Sequence, residues 1–161
     1  MEYKIRKMEK ADIKEVQQVA KISWNTTYEK ILPLEIQGNF LRTAYSDEMM
    51  LKRMDVSFLY VAEKDRGIVG FANFSTVKEQ GEVELGAIYL YPEYQAKGIG
   101  TALLQEGIKN LKGANSLFIN VEKENNVGTN FYYAKGFKIV SQFDDNLEGH
   151  ITKMLRMVKS I

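Results

Sequence analysis

The sequence predicts an α+β domain built on a mixed sheet. Three observations predict it. Strand-like runs cluster between residues 58 and 91. A strand, helix, strand succession follows over residues 83–121, with a glycine-rich loop opening the helix. Two further strand-like runs close the chain. No linker, repeat or low-complexity stretch interrupts this order, and 161 residues suit one domain over 1–161 with a sizeable core.

Residues 3–6 alternate in the manner of a short strand. Asp12 stands where a helix N-cap belongs, ahead of Ile13, Val16, Ala20 and Trp24 at helical spacing. Pro33 marks a new start, and residues 34–45 read as a second helix. Ser46 opens a third, with Asp47 and Glu48 in the first turn, where the helix dipole favours negative charge. Residues 58–62 and 68–77 read as two strands joined by a turn at Asp65, Arg66 and Gly67. Gln80 and Gly81 break the second. Residues 83–91 form the next strand, which ends near Pro92 because proline cannot donate to a ladder. A helix over about 98–112 carries an apolar stripe of Leu103, Leu104, Gly107, Ile108 and Leu111, suited to packing on a sheet. A strand at 116–121, a helix at 126–135 and strands at 137–142 and 151–158 complete the chain.

Composition narrows the function. The 45% hydrophobic fraction is ordinary for a globular protein. A net charge of +1 with no basic stripe argues against nucleic-acid binding. With no cysteine there is neither disulfide nor thiolate chemistry, which fits a cytoplasmic protein. His150 is the only histidine, so neither a metal site nor a Ser-His-Asp triad is expected, and it is read as a strand-start residue without a catalytic role. The first ten residues lack the apolar segment of a signal peptide, and no run reaches membrane-spanning length.

The segment Gln95-Ala96-Lys97-Gly98-Ile99-Gly100 precedes an amphipathic helix. Backbone N–H groups at a helix N-terminus supply converging donors and positive potential for a pyrophosphate, and glycine allows its close approach. Thr101 adds a hydroxyl and Lys97 a cation. The segment fits neither the Walker pattern nor the dinucleotide pattern. With the strand before it and the Pro92-Glu93-Tyr94 turn, it resembles the Q-x-x-G-x-G cofactor loop of the GNAT superfamily of acetyl-CoA-dependent N-acetyltransferases. A second stretch, Asn125-x-x-Gly128-x-x-Phe131-Tyr132-x-x-x-Gly136-Phe137, resembles that family's N-x-x-A-x-x-F-Y-x-K-x-G-F motif. The resemblance implies a mostly antiparallel sheet of about six to seven strands flanked by about four to five helices.

The same resemblance implies acetyl-CoA as cosubstrate. The backbone of Ile88, Tyr89 and Leu90 would line its acetyl and pantetheine arm, and the amides of Gln95, Ala96, Lys97, Gly98, Ile99, Gly100 and Thr101 would hold its pyrophosphate. Asn125 would cap the following helix, donate to the cofactor, or both. Gly128 lies one helical turn before Tyr132, making room for the arm at about 1 kcal/mol of helix stability relative to alanine. Tyr132 would protonate the departing thiolate, with Phe131 turned into the core. Ala134 stands where the family often has lysine, and Lys135 would project elsewhere, which leaves a lysine contact to the adenosine phosphate without support.

An alkyl amine is largely protonated near neutral pH, so a base is needed before attack. Glu84, at the family's usual distance before the loop, is the first candidate; Glu82, on the same strand face, is the reserve. Trp24 and Tyr28 share a helical face and would form an aromatic wall for a cationic amine, although Trp24 also suits core packing. Asp144, Asp145 and Glu148 form an acidic cluster expected between the last strands, suited to a polycation or simply to solvent. The region around residues 23–33 and the C-terminal strands resembles bacterial polyamine-type and other small-amine acetyltransferases. Expected partners are therefore a small-molecule amine acceptor, no nucleic acid, no membrane, and a possible homodimer, a state common in the family. A protein N-terminus or lysine acceptor, and a non-catalytic acyl-CoA-binding module, are the alternatives.

Overall fold

The computed structural model describes residues 2–161. Its strands are β1 (Lys4–Lys7), β2 (Phe58–Lys64), β3 (Gly67–Phe74), β4 (Glu82–Leu90), β5 (Ser116–Glu122), β6 (Lys138–Leu147) and β7 (His150–Ser160). Its α-helices are α1 (Ile13–Tyr28), α2 (Leu34–Ala44), α3 (Asp47–Val56), α4 (Ile99–Asn110) and α5 (Asn126–Ala134). The strands form one sheet in the order β1-β2-β3-β4-β5-β7-β6. Every neighbouring pair is antiparallel except β4 and β5, which run parallel. This is the α+β sheet that the sequence predicts.

The middle of the sheet is covered on both faces, which is why β2 and β3 read as near-continuous apolar runs. On one face Tyr60, Ala62, Ala72, Phe74, Val83 and Leu85 pack with Leu103 and Leu104 of α4. On the other, Leu59, Val61, Phe71 and Ala87 pack with Val16, Val19 and Ala20 of α1 and Met50 of α3. Strand β4 changes phase between these cores. Phe74 lies opposite Leu85 and Asn73 opposite Ala87, so Gly86 is an extra residue in a β-bulge. Upstream of it Val83 and Leu85 face α4; downstream Ala87 and Tyr89 face α1, and Ile88 and Leu90 return to the α4 side.

Three expectations change. The strand expected over 68–77 stops at Phe74. The last strand pair is longer than 137–142 and 151–158: β6 continues through Asp144 and Asp145, paired with Lys153 and Thr152 of β7. Lys153 Nζ donates to Asp144 at 2.7 Å, so the acidic cluster is mostly strand, and only Glu148 occupies the turn. Asp12 precedes α1, but its side chain does not cap that helix. Its carboxylate instead receives the Glu9 N–H at 2.8 Å and two Arg6 hydrogen bonds at 2.7 and 2.9 Å.

The Arg6 hydrogen bonds hold the Asp12 carboxyl below its ordinary range, against the opposing effect of burial. A carboxyl depressed on folding stabilises above its unfolded pKa and loses that contribution as pH falls through the folded one. Asp12→Asn is therefore expected to cost about 2 kcal/mol at neutral pH, with Arg6 still held by Glu63 at 3.3 Å. In urea unfolding, the gap to wild type should shrink below about pH 4. A gap independent of pH would show that the ion pair does not carry the effect.

Candidate active site

Parallel pairing between β4 and β5 lasts only from Glu82 opposite Ser116 to Glu84 opposite Phe118. Beyond that point the strands diverge, while β4 stays paired with β3 on its other side. A cleft of about 710 Å³ opens there, bounded by residues 85–90 of β4, the loop before α4, the end of β5, α5, and Ser23, Thr27 and Tyr28 of α1. The backbone on the β5 side of β4 is thus left without a ladder partner, as an extended amide-bearing ligand requires.

The loop before α4 fits an anion. Among the described residues, no backbone N–H from 96 to 101 donates to another group of the chain. Ala96 and Gly98 both have positive φ, 59° and 86°, the kind of backbone that gathers successive amides into an anion-binding concavity. A Cβ on Gly98 would meet nothing within 4 Å, so this glycine serves conformation and not space. Gly100 packs on Phe131, whose ring would lie 3.2 Å from an added Cβ. At α5 the Asn125 side chain accepts the Gly128 N–H at 3.0 Å, the capping role expected of it. A Cβ on Gly128 would meet the Asn125 amide at 2.6 Å, so glycine here accommodates the cap as well as the cleft.

Ile88, Tyr89, Leu90, Gln95, Ala96, Gly98, Gly100, Thr101, Asn125, Gly128, Tyr132 and Tyr28 all line the cleft. Lys97 and Ile99 do not: Lys97 is exposed, and the Ile99 side chain is fully buried in the α4 core. Two further expectations are corrected. Phe131 lines the cleft as well as packing against the core, and Lys135 lines it too, with Nζ 5.7 Å above the Phe131 ring. The spacing of four residues between them brings the cation back over the aromatic face.

Trp24 is absent from the cleft wall. It is buried, stacked on Phe40 with ring centroids 4.3 Å apart, and supports Tyr28 from behind at 4.5 Å. Its Nε1 is near enough to the Tyr89 phenol to favour the phenolate slightly, yet completes no hydrogen bond. Burial pushes the phenols of Tyr28, Tyr89 and Tyr132 upward; Tyr89 and Tyr132 also raise Tyr28, and Tyr89 raises Tyr132. All three therefore stay protonated through the neutral range and serve as hydroxyl donors.

Glu84 sits where β4 and β5 part, outside the cleft lining. Arg156 of β7 engages both of its carboxylate oxygens, one at 2.9 Å from Nη1 and the other from Nη2. Arg156 also donates to Asn120 at 3.0 Å and lies 4.6 Å above the Phe118 ring. Glu82 is exposed at the strand start. A different carboxylate, Glu122 at the end of β5, is buried at 3% exposure and was not singled out by the sequence. Two long-range bonds lie outside the cleft lining: His150 Nε2 to the Ile31 carbonyl at 3.0 Å, and Asn39 Nδ2 to Glu148 at 3.0 Å. They tie the β6–β7 turn to the segment spanning α1 and α2.

A family model described as the acetyltransferase (GNAT) family matches residues 17–137. A spermidine N(1)-acetyltransferase of Thermoplasma acidophilum is 34% identical over 148 residues, covering 86% of this chain and 90% of that protein. The uncharacterized N-acetyltransferase YuaI of Bacillus subtilis is 34% identical over 150 residues, covering 89% and 84%. The crystal structure of the PaiA N-acetyltransferase of Thermoplasma acidophilum in complex with coenzyme A has a TM-score of 0.88 at 30% identity, covering 100% of both chains.

Proposed function

Because this chain belongs to the acetyltransferase (GNAT) family, and is an acetyl-CoA-dependent N-acetyltransferase, we propose that its acceptor is a polyamine or a similar small primary amine. The observation that carries this reading is the aromatic wall of the cleft. Tyr28 and Tyr89 add aromatic surface suited to a cation. The likeness to a spermidine N(1)-acetyltransferase points the same way.

In this reading the amides of residues 96–101 hold the pyrophosphate, and Ile88, Tyr89 and Leu90 present backbone groups to the extended arm. When bound, acetyl-CoA supplies a thioester carbonyl open to attack by nitrogen. Tyr132, held between Phe131 and Phe137 at centroid distances of 5.5 and 5.3 Å, gives its proton to the leaving sulfur. Transfer is direct, since the chain has no cysteine to carry the acetyl group.

The test is release of free coenzyme A from acetyl-CoA with spermidine, spermine, shorter diamines, lysine peptides and peptide N-termini. Polyamines are expected to give the highest kcat/KM, by about tenfold or more over any peptide. A peptide preferred to every small amine would overturn the reading.

A further inference from the structure

Two carboxylates are buried among the described residues, Asp12 and Glu122, at 5% and 3% exposure. Asp12 is matched by Arg6. Among the described residues, Glu122 has no Lys, Arg or His within ion-pairing distance. Its carboxylate accepts the Glu124 N–H on Oε2 at 2.6 Å, and the Asn125 N–H also acts on it. Burial raises its pKa and the Glu124 charge adds to the rise, with the Glu124 and Asn125 amides acting in the opposite direction. A buried carboxylate without a cation is unfavourable unless another group neutralises it.

Its position indicates what that group is. Glu122 is the last residue of β5, beyond the point where β5 leaves β4. It lies two residues after Asn120, on the same strand face, and directly follows Asn120 and Val121, which line the cleft, without itself being part of the lining. Tyr28 lines the cleft from α1, and Glu122 is among the charges that act on its phenol. Glu124 lies on the following turn, and the cation on this face of β7, Arg156, is already held by Glu84 and Asn120. The lone imidazole, His150, is bound to the Ile31 carbonyl. Glu84, by contrast, already has both oxygens on Arg156.

We propose that Glu122 is the counter-charge for the acceptor's ammonium group and the base that takes its proton before attack. This rests on the amine-acceptor reading above. One ammonium proton passes to the Glu122 carboxylate and then to solvent. The freed nitrogen lone pair forms the N–C bond to the thioester carbonyl carbon while the C–S bond breaks. The sulfur takes a proton from Tyr132, and the phenol recovers one from the new amide nitrogen. Ammonium and thioester thus become amide, thiol and one released proton.

Two measurements on the full chain test this. The first is kcat/KM against pH for wild type, Glu122→Gln and Glu122→Asp, with acetyl-CoA and an amine that wild type acetylates. Glu122→Gln is expected to lose about a hundredfold or more and to lose the acidic limb of the profile, while Glu122→Asp regains part of both. The second is thermal unfolding of the free protein. A carboxyl raised on folding lowers stability as pH climbs from its unfolded to its folded pKa, so Glu122→Gln should unfold at a higher temperature than wild type near about pH 8, and the gain should vanish below about pH 4. Spermidine should narrow that difference by stabilising wild type selectively.

A Glu122→Gln variant within about threefold of wild type, with the acidic limb intact, overturns the assignment and leaves the N-acetyltransferase reading untouched. If wild type acetylates no amine, it is the acceptor reading that fails. The unfolding comparison then decides on Glu122 alone: a variant less stable near about pH 8 would make this residue only a cap for the β5–α5 turn.

Discussion

Tyr132→Phe is expected to lower kcat by about a hundredfold to a thousandfold with little change in KM for acetyl-CoA. The substitution isolates one oxygen. The ring is fixed edge-on between Phe131 and Phe137, and phenylalanine keeps both contacts. No group of the chain is hydrogen-bonded to the hydroxyl among the described residues, so its loss leaves no protein group unsatisfied. Burial, and then the nearby Tyr89, push this phenol up, so it is a poor acid in the free protein. Its transfer to sulfur is therefore coupled to recovery of a proton from nitrogen, and the alkaline limb of kcat should not follow an ordinary tyrosine. Coenzyme A release, isothermal titration with coenzyme A and thermal unfolding separate the contributions: kcat should fall while affinity and melting temperature hold. A kcat within about threefold of wild type would remove Tyr132 from the chemistry.

Gly107→Ala is expected to destabilise the fold by about 2 kcal/mol, lowering the melting temperature by roughly 4–8 °C. Helix propensity predicts the opposite, since alanine in a helix interior is favoured by about 1 kcal/mol over glycine. Packing decides the sign. A Cβ at Gly107 would lie 2.1 Å from Phe74 Cζ and 2.2 Å from Cε1. Phe74 is fully buried and rests edge-on against Tyr60, so its ring has no free direction of retreat. Calorimetry distinguishes the two terms directly: a higher melting temperature would mean that α4 shifts on the sheet more easily than its packing suggests.

How much of this was legible in the sequence depended on how local the cause was. The loop around Gly98 and the cap at Asn125 were readable because a positive φ and a capping side chain leave their mark on adjacent residues. The apolar stripe of α4 was readable because a helix repeats its buried face. The extension of β6 through Asp144 and Asp145 was not: a polar run reads as a loop, and only pairing with β7 makes it a strand. Nor could the sequence show that Arg156 would reach Glu84, 72 positions away, or that Glu122 would be buried beside Tyr28. Trp24 illustrates an intermediate case. Its helical face was correctly aligned with Tyr28, but α2 brings Phe40 over the indole and leaves only the tyrosine at the cleft. The GNAT assignment itself rested on the two local motifs and is shown by the family match.

The extra residue at Gly86 gives β4 something like a change of reading frame. In a regular strand, parity alone assigns a side chain to a face, and Leu85, Ala87 and Tyr89 would share one. Here parity inverts midway, so one continuous strand holds the α4 core with its first half and turns Tyr89 toward the α1 side with its second. Hydrophobic pattern read straight through this strand therefore assigns its second half to the wrong faces. Loss of a single residue at this point would exchange Tyr89 with Ile88 and Leu90 between the α1 and α4 faces of the sheet without altering the identity of any of them.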